Sequence, residues 1–253
     1  MNSAPLSGFR TPLSCTRGYS ATMTFLRSGR SKDACVEIRF RAALLDMDGT
    51  MVDSTALVEE RWRRWSLRRG INPDRLLRDV HGRRAEDVIR QFAPDADTAV
   101  EMSWFVSEAG RIGQSGVMPI PGALDFVSGL PGNSWAVITS EVADLARGRL
   151  SAAGLPQPSV LIGADDVPTG KPDPAGYLLA SNLLGVSPAD CLVFEDAPAG
   201  VLAARNAGMR VIGLLTTHSD LDDCCEAVMG DFAGLRLTIG SNDLLITLGK
   251  GRT

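Results

Sequence analysis

Short apolar runs alternate with stretches of helical spacing along the chain from about residue 36. Apolar runs bounded by turn residues predict buried strands, here at 36–46, 134–139, 159–163, 191–195 and 211–215. The stretches between them predict helices at about 141–153, 174–184 and 199–207. This repetition of strand, helix and strand predicts an α/β fold with a doubly wound parallel sheet and a Rossmann-like core.

The segment 56–117 has a different pattern, because it contains no buried-strand run. Apolar anchors such as Trp62, Trp65 and Trp104 favour an all-helical unit inserted into the core as a cap. The exit, Met118-Pro119-Ile120-Pro121-Gly122, is stiff enough to act as a hinge. We therefore expect three parts, namely an extension at 1–34, a catalytic core made of 35–55 and 118–253, and a helical cap at 56–117.

The extension at 1–34 is rich in Ser, Thr and Arg and has no acidic residue before Asp33. This composition is typical of an organellar transit peptide, and the alternative is a wrongly assigned start, with Met23 as one candidate for the real one. The segment lacks a secretory apolar region, so export is not expected. We expect it to be disordered and to play no part in catalysis.

Length and composition exclude several classes of protein. A chain of 253 residues with 44% apolar content can bury a sizeable core and a smaller second unit. The net charge of −4 argues against nucleic-acid binding. The sequence contains no run of 18 apolar residues, so a membrane span is not expected. The five cysteines form no Cys-x-x-Cys pair, which favours a reducing compartment and hence a cytoplasmic protein, unless the extension directs it to an organelle.

The first predicted cap helix is strongly basic. Its arginines lie beside two tryptophans, a combination that nucleic-acid binders also use, and they are Arg61, Arg63, Arg64, Arg68 and Arg69. The interpretation that we prefer is a solvated helix face, supported by ion pairs with Glu59 and Glu60 one turn earlier.

The first stretch whose side chains are suited to catalysis directly follows an apolar run and reads Asp46-Met47-Asp48-Gly49-Thr50. Carboxylates two residues apart share a face in strand geometry, and the glycine lets the backbone turn sharply and approach a ligand. The spacing indicates a nucleophile and an acid/base at one site. The alternative is ordinary turn chemistry, since Asp and Gly are common wherever a strand ends.

Three later stretches also follow apolar runs or lie in stiff loops. Thr139-Ser140 offers hydroxyls that could bind phosphoryl oxygens, although such a pair also suits a helix N-cap. Lys171 lies in the rigid loop Gly170-Lys171-Pro172-Asp173-Pro174. Glu195-Asp196 adds two carboxylates with oxygen atoms suited to a divalent cation.

Lysine usage singles out Lys171. The chain has 26 Lys and Arg residues, of which only Lys32, Lys171 and Lys250 are lysines. Lys171 is thus the only lysine between residues 33 and 249. A compact ammonium and a planar guanidinium are not interchangeable beside a phosphoryl group and a carboxylate, so we expect a specific role for Lys171.

These four stretches, in this order, resemble the haloacid dehalogenase-like hydrolases with a helical cap after the first motif. Asp46 and Asp48 match the first motif, Thr139 the second, Lys171 the third and Glu195-Asp196 the fourth. The resemblance runs from about residue 41 to about 217.

The resemblance implies a role for each residue. Asp46 would be the nucleophile that forms an aspartyl-phosphate, and Asp48 the general acid/base. Lys171, Thr139 and Ser140 would bind phosphoryl oxygens. Mg²⁺ would be held by Asp46, the backbone carbonyl of Asp48 and Asp196, with Glu195 as a further ligand or just behind the ligands.

Three departures distinguish branches of this family. Asp48 argues against the dehalogenases, and the absence of a cap lysine argues against the phosphonate-cleaving members. Val58 stands where the sugar phosphomutases usually carry a histidine. The resemblance therefore implies a phosphatase for a small phosphorylated sugar or polyol, acting as a monomer or weak dimer, with a phosphomutase or a non-catalytic phosphate-binding module as alternatives.

The cap is expected to select the substrate. Its candidates for binding the leaving group are His81, Arg83, Arg84 and Glu86. The alternative is helix-terminus chemistry, in which His81 ends one helix and Glu86 lies in the first turn of the next.

Overall fold

The structure is a computed structural model that describes residues 36–219, 221 and 225–248. The expectations for the extension at 1–34 lie outside the described residues.

Strands and helices alternate along most of the described chain. The strands are β1 (Val36–Phe40), β2 (Ala42–Leu45), β3 (Val52–Asp53), β4 (Met118–Pro119), β5 (Trp135–Ile138), β6 (Val160–Ile162), β7 (Cys191–Glu195), β8 (Arg210–Leu214), β9 (Ala227–Met229), β10 (Leu235–Ile239) and β11 (Leu244–Leu248). The α-helices are α1 (Thr55–Arg68), α2 (Pro73–Leu76), α3 (Ala85–Phe92), α4 (Thr98–Ile112), α5 (Ala123–Gly129), α6 (Ala143–Ala152), α7 (Ala175–Leu184) and α8 (Pro198–Asn206).

The centre of the fold is a six-stranded parallel sheet in the order β6-β5-β2-β7-β8-β9. Strand β2 lies between β5 and β7, and its Leu44 is opposite Ala136 on one side and Val193 on the other. Because all of these strands run in the same direction, their carboxyl ends meet at one edge of the sheet.

Helices cover both faces of this sheet. Successive residues of a strand point to opposite faces, so Leu45 packs with α5 and α6 while Leu44 packs with α7 and α8. Both leucines are fully buried. Burial on both faces explains why β2 reads as an uninterrupted apolar run rather than an alternating one.

The prediction of one strand over 36–46 is wrong. The strand is interrupted at the exposed residue Arg41, and β1 belongs to a second sheet. In that sheet β1 pairs antiparallel with β11, which also pairs with β10. In β1 only Ile38 and Phe40 face the core, so its alternating pattern differs from that of β2. The strands β9, β10 and β11 were not predicted.

Helices α1 to α4 pack around an apolar cluster of their own. Its largest fully buried members are Trp65 and Phe105. The short antiparallel pair β3 and β4 joins this layer to the sheet, with Val52 opposite Pro119. The predicted fold class, a doubly wound parallel sheet with an inserted all-helical cap, is confirmed, and we call α1 to α4 the cap. In the described residues, no helix has the length and apolar character needed to cross a membrane.

A substitution at Gly122 tests the packing where the chain passes from the cap back into the core. Its φ is 78°, and a Cβ placed there would lie 2.6 Å from backbone atoms of Phe232 and Ala233. We expect Gly122→Ala to lower the free energy of unfolding by more than about 1 kcal/mol in chemical denaturation.

The matched control is Gly132→Ala. A Cβ at Gly132 would meet no heavy atom within 4 Å, and its φ is outside the left-handed region. Equal stabilities of the two variants would contradict the packing seen at Gly122.

Candidate active site

The predicted chemical residues come together at the carboxyl edge of the sheet. Asp46 follows β2, Thr139 follows β5, and Glu195 and Asp196 lie at the end of β7. These are three neighbouring strands, so residues far apart in sequence meet in one place. Lys171 reaches the same place from the loop before α7.

The Lys171 ammonium is buried between two carboxylates. Its Nζ donates to Asp46 Oδ1, to Glu195 Oε1 at 2.5 Å and to the carbonyl oxygen of Ile138 at 3.2 Å. All three of the charged residues in this contact are at least nine-tenths buried. A single compact cation therefore links the first, third and fourth motifs.

Glu195 uses both carboxylate oxygens for contacts within the protein. Oε1 accepts from Lys171 and from the Tyr177 hydroxyl at 3.0 Å. Oε2 accepts from the backbone N–H groups of Asp196 and Ala197, both at 3.0 Å. This bonding favours the second of its two predicted roles, in which Glu195 supports the site from behind the metal ligands.

Carboxylate oxygens of Asp46, Glu195 and Asp196 lie within 4.8 Å of one another. Such an all-oxygen donor set is the kind that suits Mg²⁺. Burial and the charge of Glu195 raise the pKa of Asp196 to about 7. Burial also raises the pKa of Asp46 well above its ordinary value, against the opposing charge of Lys171. Three carboxylates beside one ammonium leave an excess of negative charge that a divalent cation would balance, so the residues fit this metal.

Lys171 itself stays protonated. Burial alone would lower its pKa, but the charges of Asp46 and Glu195 outweigh burial and raise it well above the ordinary value. The site therefore keeps a fixed positive charge next to Asp46.

Asp48 lies nearer the solvent, with 26% of its side chain exposed. Its Oδ1 accepts from the Ser54 hydroxyl and from Arg149 Nη1, both at 2.5 Å. Asp48 thus does not contact Lys171, and its environment differs from that of Asp46. The two carboxylates of the first motif are held by separate sets of partners.

A chain of buried charges that the sequence did not reveal extends from Asp48 toward the cap. Arg149 also donates to Glu141 Oε2 at 3.2 Å, and Arg61 Nη2 donates to the same oxygen at 2.5 Å. Burial raises the pKa of Glu141, but the charges of Arg61 and Arg149 outweigh this, so its pKa is lowered. The one sequence feature that could have pointed to Glu141 as a residue near the site is its position directly after Thr139-Ser140.

The interpretation of the cap arginines as a solvated face is wrong for Arg61. Arg63 and Arg64 do pair with Glu59 and Glu60 at the surface. Arg61 is instead buried, because it pairs with Glu141 and packs against the ring of Phe105.

A cleft open to solvent is lined by residues from this edge of the sheet and by residues from the cap. Asp46, Asp48, Thr139 and Ser140 line it on the core side. The cap side combines apolar and polar side chains, namely Val58, Arg61, Trp62, His81, Arg83 and Phe105.

The four cap candidates have different positions. His81 and Arg83 line the cleft, and burial lowers the pKa of His81. Arg84 lies outside this cleft and binds Asp87 and the carbonyl oxygens of Val167 and Pro168.

Glu86 does not line the cleft and pairs with Arg90 at 2.5 Å.

On the core side, the Ser140 hydroxyl donates to the carbonyl oxygen of Gly82 at 2.9 Å, and Thr139 Oγ1 accepts from the backbone N–H of Glu141 at 3.1 Å. The Ser140 bond ties the core to the cap, while the Thr139 bond closes a turn ahead of α6, whose N-cap is Val142.

Known proteins are similar to this chain in sequence and in fold. The model of the haloacid dehalogenase-like hydrolase family matches residues 40–208. Hexitol phosphatase A of Escherichia coli is 40% identical over 182 residues, which cover 70% of this chain and 84% of the relative. Glycerol-1-phosphate phosphohydrolase 2 of Saccharomyces cerevisiae is 34% identical over 218 residues, covering 80% and 86%.

A solved structure agrees with the sequence matches. A hydrolase from Pseudomonas syringae superimposes with a TM-score of 0.68 at 26% identity, covering 76% of this chain and 94% of that one. This chain therefore belongs to the haloacid dehalogenase-like hydrolase family, and the resemblance inferred from the four motifs is confirmed.

The buried contacts of Lys171 lead to a stability prediction. Lys171→Met leaves Asp46 and Glu195 without their cation, and removing one partner of a buried ion pair costs about 3–5 kcal/mol. Lys171→Arg also lowers stability, because a planar guanidinium does not fit where two carboxylates approach one nitrogen. Chemical denaturation without added metal measures both effects.

Arg63→Met is the control, since it removes a cation from a surface pair, which is worth about 0–1 kcal/mol. The role assigned to Lys171 would be refuted by a Lys171→Met variant as stable as this control.

Proposed function

We propose that the protein is a Mg²⁺-dependent phosphatase that hydrolyses a small phosphorylated sugar or polyol through an aspartyl-phosphate on Asp46. The observation that carries the proposal is that Asp46 and Asp48 line the same cleft and that Asp46 accepts a hydrogen bond from the buried Lys171 ammonium. The names of the two relatives, a hexitol phosphatase and a glycerol-phosphate phosphohydrolase, support this substrate class.

Asp46 is the nucleophile in this proposal. A carboxylate attacks phosphorus in line when the charges on the phosphoryl oxygens are neutralised. Lys171 supplies a fixed positive charge at Asp46, and the Thr139 hydroxyl lines the same end of the cleft. The phosphorus–oxygen bond to the alcohol breaks as the bond to Asp46 Oδ forms, so the enzyme is phosphorylated and the alcohol is released.

Asp48 is the general acid and then the general base. It lines the cleft and is partly exposed, so a leaving oxygen or a water molecule can reach it. It protonates the departing alkoxide and then takes a proton from the water that hydrolyses the aspartyl-phosphate. Ser54 and Arg149 fix the carboxylate in one orientation during both steps.

The metal site in this proposal is formed by Asp46 and Asp196, with the backbone carbonyl of Asp48 as a third donor and Glu195 in support. A bound Mg²⁺ would neutralise charge on the phosphoryl group.

We favour hydrolysis over a second phosphoryl transfer, because Val58, an apolar residue of the cleft, stands where the sugar phosphomutases that this chain resembles usually carry a histidine. Water is then the acceptor of the phosphoryl group.

A panel of phosphorylated sugars and polyols, assayed by phosphate release, tests the proposed function. We expect turnover of at least one hexitol, hexose or glycerol phosphate, with none above background for Asp46→Asn. Asp48→Asn should lose on the order of 10² in kcat, the usual scale for general acid/base catalysis. Near-normal turnover by a folded Asp46→Asn sample would refute the nucleophile, and no turnover of any phosphate monoester by wild type would refute the function.

Metal removal gives a second test, with a readout that does not need turnover. We expect Mg²⁺ added after EDTA treatment to raise Tm of the wild-type protein, because binding to the native state stabilises it. Asp196→Asn should lose this shift, since it removes a carboxylate of the buried group.

Asp190→Asn, a change at a half-exposed carboxylate just before β7, should keep the shift. Equal Mg²⁺ responses of Asp196→Asn and wild type would contradict the metal assignment.

A further inference from the structure

Arg61 is held in one orientation at the boundary between cap and core. Its side chain is 6% exposed although it belongs to α1, whose other arginines face solvent. Its Nη2 donates to Glu141 at 2.5 Å, and its Cζ lies 4.2 Å from the centroid of the Phe105 ring. One nitrogen and one face of the guanidinium are therefore already occupied.

The other terminal nitrogen, Arg61 Nη1, is buried and has no hydrogen-bond partner among the described residues. A buried polar atom without a partner is unusual in a native protein, because it has lost water and gained nothing in return. Arg61 lines the cleft that contains Asp46 and Asp48. We therefore expect the missing acceptor to come from a molecule bound in that cleft.

The charge around Arg61 limits the kind of acceptor. Glu141 already neutralises the guanidinium at 2.5 Å and also accepts from Arg149. A carboxylate or second phosphate at Nη1 would bring another buried negative charge close to Glu141, which is costly. A neutral hydroxyl oxygen would satisfy the donor without adding charge.

We infer that Arg61 Nη1 binds a hydroxyl oxygen of the leaving group, so that the enzyme selects phosphate monoesters whose alcohol carries further hydroxyls. The inference rests on the proposed phosphatase function and deepens it. Arg61 then acts as a substrate-binding residue, and Glu141 and Phe105 hold its guanidinium in place before substrate arrives. A preformed donor rejects an analogue without the hydroxyl strongly, since the donor would stay unpaired.

The alternative is that Arg61 only ties the cap to the core through Glu141. Arg61→Lys separates the two roles, because an ammonium can keep the ion pair with Glu141 but cannot present a second nitrogen in a fixed fork. Arg61→Met removes both functions. Arg63→Lys, on the same helix and in a surface pair with Glu59, is the matched control.

The experiment compares kcat/KM for glycerol 1-phosphate with that for propyl phosphate, which lacks the hydroxyls, and uses p-nitrophenyl phosphate as a reference. We expect Arg61→Lys to lower the glycerol 1-phosphate to propyl phosphate ratio about 10- to 100-fold, the range for a hydrogen bond to a charged group. Any loss of kcat/KM on propyl phosphate and p-nitrophenyl phosphate should be smaller than the loss on glycerol 1-phosphate by that same factor, since neither carries a further hydroxyl. Arg63→Lys should leave every value unchanged.

Three results would overturn the inference. If Arg61→Lys keeps the wild-type kcat/KM on all three substrates, Nη1 binds no substrate hydroxyl. If it loses kcat/KM equally on all three, Arg61 only ties the cap to the core. If Arg61→Lys does not fold, the wild-type ratio decides, and a wild-type enzyme that does not prefer glycerol 1-phosphate to propyl phosphate contradicts the inference. If wild type hydrolyses none of the three nor any other phosphate monoester, the proposed function itself has failed, which is a distinct outcome.

Discussion

The site depends on one buried interaction, the contact of the Lys171 ammonium with Asp46 and Glu195. Both carboxylates are buried away from water at the carboxyl edge of the sheet, and the cation between them offsets the cost of that burial. Glu195 in turn is fixed by Tyr177 and by two backbone N–H groups, so Lys171 has a rigid support. Asp196 adds a third carboxylate to this group, and such a set of oxygen donors suits a divalent metal ion.

The two carboxylates of the first motif have different surroundings, which is why we propose different roles for them. Asp46 is buried beside an ammonium, whereas Asp48 is partly exposed and held by Ser54 and Arg149. Through Arg149 and Glu141, Asp48 is connected to the cap residue Arg61. The residue proposed as the acid/base and the residue proposed to bind the rest of the alcohol therefore share one chain of ion pairs.

The parallel sheet and its chemical residues could be predicted from the sequence because strands buried on both faces give uninterrupted apolar runs, and Asp46, Thr139 and Glu195 directly follow such runs. The second sheet was missed, since β1 alternates and was read as part of β2, and β10 is largely exposed. Arg61 was misassigned because its burial depends on Glu141, which is eighty residues away in sequence. Helical spacing alone does not say which face of a basic helix meets the core.

The most direct test of the central claim is to identify the residue that carries phosphate during turnover. The wild-type enzyme is mixed with a ³²P-labelled substrate from the active panel, quenched in acid within milliseconds, digested and mapped by mass spectrometry. The account predicts a transient acyl-phosphate, sensitive to hydroxylamine, on the peptide that contains Asp46. Label on Ser140 or His81, or phosphate release without any labelled protein at the earliest times, would contradict it.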